Sequence, residues 1–135
     1  MNLYDVIVIG GGPAGCAMAL DLNRHGYDVA LCDQAKFPRD KVCGEFISPG
    51  ADPILDKLGV LASIEALAPK RLKGVAISSY ESAELEIDYP ASTETGSRPS
   101  SLSVPRYQLD ALFLKQVQST GVKVFEQHKV TDFIF

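Results

Sequence analysis

The chain has 135 residues, of which 46% are hydrophobic and 22% charged, and these proportions are typical of a single globular domain and exclude a disordered chain. Thirteen basic and seventeen acidic residues give a net charge of −4 without a basic run, which argues against a nucleic-acid partner. No apolar run approaches the about 18 residues of a membrane helix, and the first strand begins too close to Met1 to leave room for a signal peptide. We therefore expect a cytoplasmic protein without a transmembrane segment, and peripheral membrane contact remains open.

The first predicted elements are an apolar strand, a glycine turn and the start of a helix, within residues 4–15, YDVIVIGGGPAG. In a dinucleotide-binding turn, Gly10 lets the chain bend sharply, Gly12 leaves room for the pyrophosphate, and Gly15 lets the helix pack close to the strand. Pro13 is tolerated in the first helical turn, where unpaired N–H groups face the phosphates. A plain glycine-rich connection is the alternative, and the helix and acid that follow favour nucleotide binding.

A second strand with an acidic end follows the predicted helix of residues 14–24. Residues 29–33 are a short apolar run that ends at Asp33, 18 residues after Gly15, close to the spacing of about 20 expected for ribose recognition. We expect the Asp33 carboxylate to accept hydrogen bonds from ribose hydroxyls and to repel a 2′-phosphate, which disfavours NADP in this site. The alternative is an ordinary strand-end residue facing water.

The middle of the chain interrupts the strand and helix pattern. Residues 34–53 lack periodicity and contain three prolines, which is typical of a functional loop. The patterns that follow predict, in order, short helices at 51–58 and 61–67, an antiparallel strand pair at 73–80 and 84–89, and a mobile segment at 90–101.

The nucleotide-binding pattern resumes with a helix at residues 106–119 and a third parallel strand at 122–125. The predicted fold is therefore α/β, a Rossmann-like βαβ unit with a parallel sheet, interrupted at 34–105 by a loop, short helices and a small antiparallel strand pair. We expect one domain over residues 1–135. Residues 131–135 indicate the beginning of another strand, so the chain reads as the amino-terminal part of a longer protein, with an open sheet edge through which it could self-associate.

The three cysteines, Cys16, Cys32 and Cys43, show no spacing typical of a metal site, and their odd number argues against a disulfide framework. Cys16 and Cys32 are expected to be small core residues of the first helix and second strand. No metal ion is expected.

The motifs GGGPAG, an acid ending the second strand, FPRDKVCGEFISP and VPRYQLDALFL follow one another in this order. In these motifs the chain resembles FAD-dependent oxidoreductases of the geranylgeranyl reductase-like group, within the p-hydroxybenzoate hydroxylase-type class of flavoproteins. The resemblance covers essentially the whole chain. GGGPAG is shared by many flavoproteins, and the CGE loop is much more specific. Family members run to several hundred residues, and their later half supplies further FAD contacts and the substrate domain.

The resemblance implies ten cofactor-binding residues and no assigned catalytic residue. These are Gly10, Gly12, Pro13, Ala14 and Gly15 at the FAD pyrophosphate, Asp33 at the adenosine ribose, Cys43 and Gly44 near the flavin, Arg106 beside the cofactor, and Val130 as a backbone contact to adenine. A surface ion pair between Arg106 and Asp110, four residues apart on a helix, is the alternative for Arg106. Val130 could equally be a strand-core residue. For Cys43 the sequence favours a structural or shaping role over a redox role, since the loop offers no second cysteine and no neighbouring histidine. Lys36, Arg39 and Lys41 could neutralise the pyrophosphate or simply be solvated.

The function that this resemblance implies is the FAD-binding part of a flavin-dependent reductase or monooxygenase, with NAD(P)H as the reductant and a small-molecule or isoprenoid-like substrate. One alternative is an NAD-dependent dehydrogenase domain, against which the insertion at 34–105 argues. Another is a non-catalytic nucleotide-binding or assembly fragment. A flavin-dependent halogenase is related, but the tryptophan-rich motif typical of those enzymes is missing, since the chain has no tryptophan.

Overall fold

The computed structural model describes residues 3–80, 84–90 and 98–134. Its elements in chain order are β1 (Val6–Ile9), α1 (Pro13–Arg24), β2 (Val29–Cys32), β3 (Phe46–Ile47), a 3-10 turn (Pro49–Ala51), α2 (Asp52–Lys57), α3 (Leu61–Glu65), β4 (Lys70–Leu72), β5 (Gly74–Ser78), β6 (Glu84–Asp88), β7 (Ser101–Ser103), α4 (Arg106–Gln118) and β8 (Lys123–Phe125). They form two compact units, the first made of Met1–Val42 with Arg106–Phe135 and the second of Cys43–Pro105.

A parallel three-stranded sheet in the order β1-β2-β8 forms the centre of the first unit. Val6 of β1 aligns with Val29 of β2, and Ala30 of β2 aligns with Lys123 of β8. The central position of β2 explains its sequence, because a strand with neighbours on both sides and helices over the sheet reads as a continuous apolar run. The observed strands and helices confirm the predicted α/β fold with its parallel sheet.

The core of the first unit lies where α1 and α4 pack against each other and onto the strands. Its buried side chains come from α1 (Cys16, Ala19, Leu20), β2 (Val29, Ala30, Leu31) and α4 (Leu109, Phe113, Leu114, Val117). Both helices present apolar residues three and four positions apart, the spacing that places side chains on one helical face. On β1, by contrast, Ile7 and Ile9 are about half exposed.

Within its described residues, the second unit contains two small antiparallel sheets. One has the order β3-β7-β4, with Leu102 of β7 aligned to Ile47 and Arg71, and the other is the predicted β5-β6 pair. The three strands of the first sheet contain only two or three residues each, and the sequence did not predict them. Leu102 and the helix residue Ile64 are buried in this unit.

Four charged side chains of the second unit form an ion-pair network. Arg71 pairs with Glu65 and, at 3.0 Å, with Asp52, while Arg98 contacts Glu65 at 3.0 Å. The hydrogen bond from Arg71 holds the pKa of Glu65 below its usual value, and the positive charge of Arg98 acts in the same direction. The network joins α2, α3 and β4 to Arg98, which lies just before β7.

Some boundaries differ from those predicted. Residues 34–42 belong to the first unit, so the second begins at Cys43. No regular element forms over residues 131–134, so the strand predicted there is wrong for those four positions. The turn predicted at 81–83 and most of the segment predicted to be mobile, 91–97, lie outside the described residues. In the part of the chain that the structure describes, no helix combines the length and hydropathy needed to cross a membrane.

Candidate functional site

The glycine turn between β1 and α1 has two positions at which a side chain is not tolerated. Gly10 has a φ of +106°, a conformation that L-residues with a side chain rarely adopt. A Cβ at Gly15 would collide with the carbonyl oxygen of Gly10, so the absence of a side chain allows α1 to lie directly against the end of β1. The Gly10 N–H donates to the carbonyl of Cys32 at 2.8 Å, which fixes the turn to β2.

Gly12 differs from these two glycines because its own conformation does not require glycine. It is the N-cap of α1 with φ −77° and ψ 179°, an extended conformation open to any residue. A Cβ there would meet only Nη2 of Arg106 at 3.6 Å and Nη2 of Arg39 at 3.8 Å. No side chain caps α1, and Pro13 occupies its first turn, so the N-terminal N–H groups and the positive end of the helix dipole are directed outward beside two guanidinium groups.

Asp33 lies at the end of β2, where it ties the glycine turn to the loop that follows. Its side chain is only 8% exposed, so the alternative of a strand-end residue facing water does not apply. One carboxylate oxygen accepts a hydrogen bond from the N–H of Gly11 and the other from that of Ala35, both at 2.7 Å. Each oxygen retains a lone pair, which leaves acceptor capacity for a ligand hydroxyl.

A cavity of about 450 Å³ opens beside this carboxylate. Its lining includes Ile9 and Gly10 from the glycine turn, Asp33 from β2, and Val130 from the segment after β8. Val130 is exposed and lies outside β8, so the strand-core alternative is wrong for this residue. The remaining lining residues include the acidic Asp40 and four basic side chains, Arg39, Lys41, His128 and Lys129.

Arg106 and Asp110, at the start of α4, form the i,i+4 ion pair that was the alternative for Arg106, but the pair is not a surface one. Nε and Nη2 of Arg106 donate to the two carboxylate oxygens of Asp110 at 2.7 and 2.9 Å. Asp110 is fully buried, and Nη1 of Arg39 lies 3.2 Å from its Oδ2. The sequence indicated Arg39 and Arg106 as separate candidates, and in the structure both guanidinium groups contact the carboxylate of Asp110.

Phe37 holds the loop after β2 against the glycine turn. Its ring lies so close to Gly11 that a Cβ there would be 3.1 Å from the ring edge, and the guanidinium of Arg39 lies 4.8 Å from the ring centroid. The Phe37 N–H donates to Glu126 just after β8 at 2.6 Å. Phe37 therefore connects the loop after β2 to both the glycine turn and the segment after β8.

The other predicted residues are placed as follows. Ala14 is exposed in the first turn of α1, and Cys16 behind it is buried, with burial as the main cause that raises its thiol pKa to about 12. Cys43 is exposed in the second unit, and a Cβ at neighbouring Gly44 would meet nothing within 4 Å. Their approach to a flavin stays a prediction.

Sequence reasoning missed His128 and Lys129 as lining residues, and it missed the bridging role of Asp110. The N–H of His128 donates to the carbonyl of Asp33 at 2.8 Å, a contact between residues 95 positions apart that no local pattern reports. A basic pair that begins three residues after the end of the predicted third strand was the available signal for His128 and Lys129, because the ends of neighbouring parallel strands meet at one sheet edge. Among the described residues, no group of acidic, histidine and cysteine side chains is arranged to hold a metal ion.

Comparison with known proteins identifies the family of this chain. The chain is 36% identical over 128 residues to a menaquinone reductase of Mycolicibacterium smegmatis, an alignment that covers 95% of this chain and 30% of that protein. It is 35% identical over 127 residues to a tryptophan 2-halogenase of Chondromyces crocatus, which covers 90% of this chain and 22% of the halogenase. The chain thus spans less than a third of the length of these relatives.

A solved structure agrees with the sequence comparisons. The crystal structure of CmlS, a flavin-dependent halogenase, superposes with a TM-score of 0.86 at 32% identity, covering 98% of this chain and 24% of that one. The family model described as an FAD binding domain matches residues 3–134. The chain therefore belongs to the FAD-binding domain family that flavin-dependent reductases, halogenases and monooxygenases share.

Proposed function

We propose that this chain is the FAD-binding part of a flavin-dependent reductase, with the pyrophosphate bound at the turn from Gly10 to Gly15 and the adenosine ribose bound by Asp33. The observation that carries the proposal is the joint position of the Asp33 carboxylate, the N-terminus of α1 and the cavity that reaches Val130. An acceptor for hydroxyls beside a cluster of anion-binding N–H groups suits a ribose joined to a pyrophosphate.

The residues present fit this cofactor in size and charge. Gly12 leaves the space in front of α1 without a side chain, and Arg39 and Arg106 add positive charge beside it. In this proposal Arg106 contacts the pyrophosphate, and the backbone of Val130 contacts the adenine. When bound, FAD supplies the redox chemistry of the enzyme, while these residues bind it, orient it and neutralise its charge.

The reductase assignment, with an isoprenoid-like substrate and NAD(P)H as the reductant, is the finer part of the proposal. Its support is the similarity to a menaquinone reductase together with the CGE loop at Cys43–Glu45, the motif behind the resemblance to geranylgeranyl reductases. The family assignment favours FAD over NAD as the bound dinucleotide. Cytoplasmic location, peripheral membrane contact and self-association stay predictions.

A flavin-dependent halogenase is the second candidate, since a tryptophan 2-halogenase and CmlS are both more than 30% identical to this chain. The absence of tryptophan does not argue against a halogenase, because the chain covers less than a quarter of either protein and the tryptophan-rich motif can lie outside the part compared. Assays of the purified whole protein separate the candidates. Oxidation of NAD(P)H coupled to reduction of an isoprenoid quinone or alkene supports the reductase, and halide-dependent product formation supports the halogenase.

Binding is tested by titrating the apoprotein with FAD and following the flavin absorbance and fluorescence. The Gly12→Val variant is the most direct probe, because the extended backbone at this position accepts valine while the side chain would fill the approach of the pyrophosphate. We expect the affinity for FAD to fall by at least about 100-fold, more than 2.7 kcal/mol, with little change in the unfolding temperature. Gly50→Val, in an open position of the second unit, is the control. Unchanged FAD affinity in Gly12→Val would refute the pyrophosphate assignment.

A further inference from the structure

One buried carboxylate connects two arginines from distant parts of the chain. Oδ2 of Asp110 lies 3.2 Å from Nη1 of Arg39 and accepts a hydrogen bond from Nη2 of Arg106 at 2.9 Å. Oδ1 accepts a second bond from Nε of Arg106 at 2.7 Å. Because the side chain of Asp110 is completely shielded from solvent, these two guanidinium groups provide its charge compensation.

Both arginines also reach the glycine turn. Nη2 of Arg106 and Nη2 of Arg39 lie 3.6 and 3.8 Å from the point where a Cβ of Gly12 would stand. Arg39 therefore directs one terminal nitrogen to Asp110 and the other toward Gly12, and the ring of Phe37 lies against its guanidinium carbon. The arginine side chains are only 16% and 15% exposed, so neighbouring protein groups restrict both.

The charges of this cluster favour an anion. Two guanidinium groups facing one turn repel each other, and a shared carboxylate between them offsets that repulsion. The three side chains still carry a net charge of +1, and the positive end of the α1 dipole adds to it. Guanidinium groups recognise phosphate oxygens through a rigid fork of N–H donors, so their orientation matters as much as their charge.

We propose that Asp110 is a positioning residue that holds Arg39 and Arg106 over the Gly12 turn, so that both guanidinium groups bind the pyrophosphate of FAD. This inference rests on the proposed function and adds to it a direct phosphate contact for Arg39 and a positioning role for Asp110. Asp110 itself is too deeply buried to meet the ligand and acts through the arginines.

The test is a double-mutant cycle in the whole natural polypeptide, with the dissociation constant for FAD and the unfolding temperature of the apoprotein measured for each variant. Arg39→Gln and Asp110→Asn should each weaken FAD binding by about 10- to 100-fold, the usual effect of losing charge-assisted hydrogen bonds. The dissociation constant of the double variant for FAD should exceed that of the weaker-binding single variant by no more than about threefold. Both substitutions remove the same contact, the one between Arg39 and the pyrophosphate, so their effects should not add. Asp56→Asn, on the exposed face of α2, is the matched control and should bind FAD as the wild type does.

Two further readouts separate positioning from a merely structural role. Added salt should weaken FAD binding less steeply in Arg39→Gln and Asp110→Asn than in the wild type, because fewer charged contacts remain to be screened. Arg39→Lys keeps the charge but not the fork, so it should still lose about tenfold in affinity while folding normally. If Asp110→Asn fails to fold, Arg39→Lys still tests whether the guanidinium fork of Arg39 binds FAD.

Wild-type affinity in both Arg39 variants would overturn the inference and leave the proposed function intact. Fully additive losses in the cycle, or an unchanged salt dependence, would also overturn it, because Asp110 would then not act through Arg39. If the wild-type protein binds no FAD, the proposed function fails and the inference fails with it.

Discussion

Replacing Gly15 by alanine tests how closely α1 is packed against β1. The added Cβ would overlap the carbonyl oxygen of Gly10, lie 3.0 Å from its carbonyl carbon and touch Cγ1 of Val8 at 3.4 Å. The obstacle is backbone that is itself hydrogen-bonded to β2 through the Gly10 N–H, so no side-chain rotation relieves it. The helix would have to move by more than about 1 Å to restore normal contact.

The cost of that movement follows from what α1 buries on its inner face. Cys16, Ala19 and Leu20 are at most 2% exposed, and moving the helix outward opens gaps around all three. Overpacking in a core typically costs about 1–3 kcal/mol, and a rigid backbone obstacle places this substitution near the upper value. We expect a loss of about 3 kcal/mol in the free energy of unfolding, or a fall of about 6–12 °C in the unfolding temperature.

Two other glycines separate steric overlap from backbone strain. Gly26 has a φ of +86° in open space, so Gly26→Ala carries only the strain of a left-handed conformation, about 1–2 kcal/mol. Gly50 has neither a positive φ nor a neighbour within 4 Å, so Gly50→Ala should be near neutral. Urea unfolding of the apoprotein, followed by circular dichroism without added FAD, measures all three variants under equal conditions. A Gly15→Ala protein as stable as Gly50→Ala would refute the close packing described here.

Two further predictions concern thiol reactivity and pH. At pH 8 a thiol reagent should label exposed Cys43 readily and leave Cys16 unlabelled until the protein unfolds, because burial raises the Cys16 pKa to about 12. Peptide mass spectrometry with and without urea measures the labelling of each cysteine. Equal labelling of Cys16 and Cys43 in the native state would contradict the prediction. Glu65→Gln should destabilise the protein modestly at pH 7, and its difference from the wild type in the free energy of unfolding should disappear in acid. The hydrogen bond from Arg71 lowers the folded-state pKa of Glu65. The stabilisation by the Glu65 carboxylate is therefore present at neutral pH and is lost as the pH falls through that lowered pKa. Urea unfolding at pH 7 and pH 3 measures the difference, and a constant difference between the two would show that the Arg71–Glu65 pair does not cause it.

The sequence predicted most of the first unit because its signals are local. The glycine turn, the apolar run of β2 and the helical spacing in α4 each lie within one element, and each structure formed within a residue or two of its predicted bounds. The β5-β6 pair was likewise visible as alternation on both sides of a polar turn. The sheet β3-β7-β4 was missed because strands of two or three residues are too short to show alternation.

The candidate site was only partly predictable, since its residues meet through contacts between distant segments. The spacing of Arg106 and Asp110 offered their ion pair as one alternative, but nothing in the pattern indicated that Asp110 would be buried or would bind Arg39 as well. The packing of Phe37 on Gly11 and its bond to Glu126 likewise depend on the whole tertiary arrangement. These contacts connect a loop without periodicity to the glycine turn and to the segment after β8.

The hydrogen bonds that join the loop after β2 to the segment after β8 have a consequence for the order of events during synthesis. Asp33 and Ala35 accept from the N–H groups of His128 and Gln127, and Val130 lines the same cavity as Asp33. A nascent chain on the ribosome therefore lacks one wall of the cavity until about the last of these residues has emerged. A ligand of this cavity can therefore bind during translation only after these residues have emerged, when the growing polypeptide has already completed the glycine turn and both long helices.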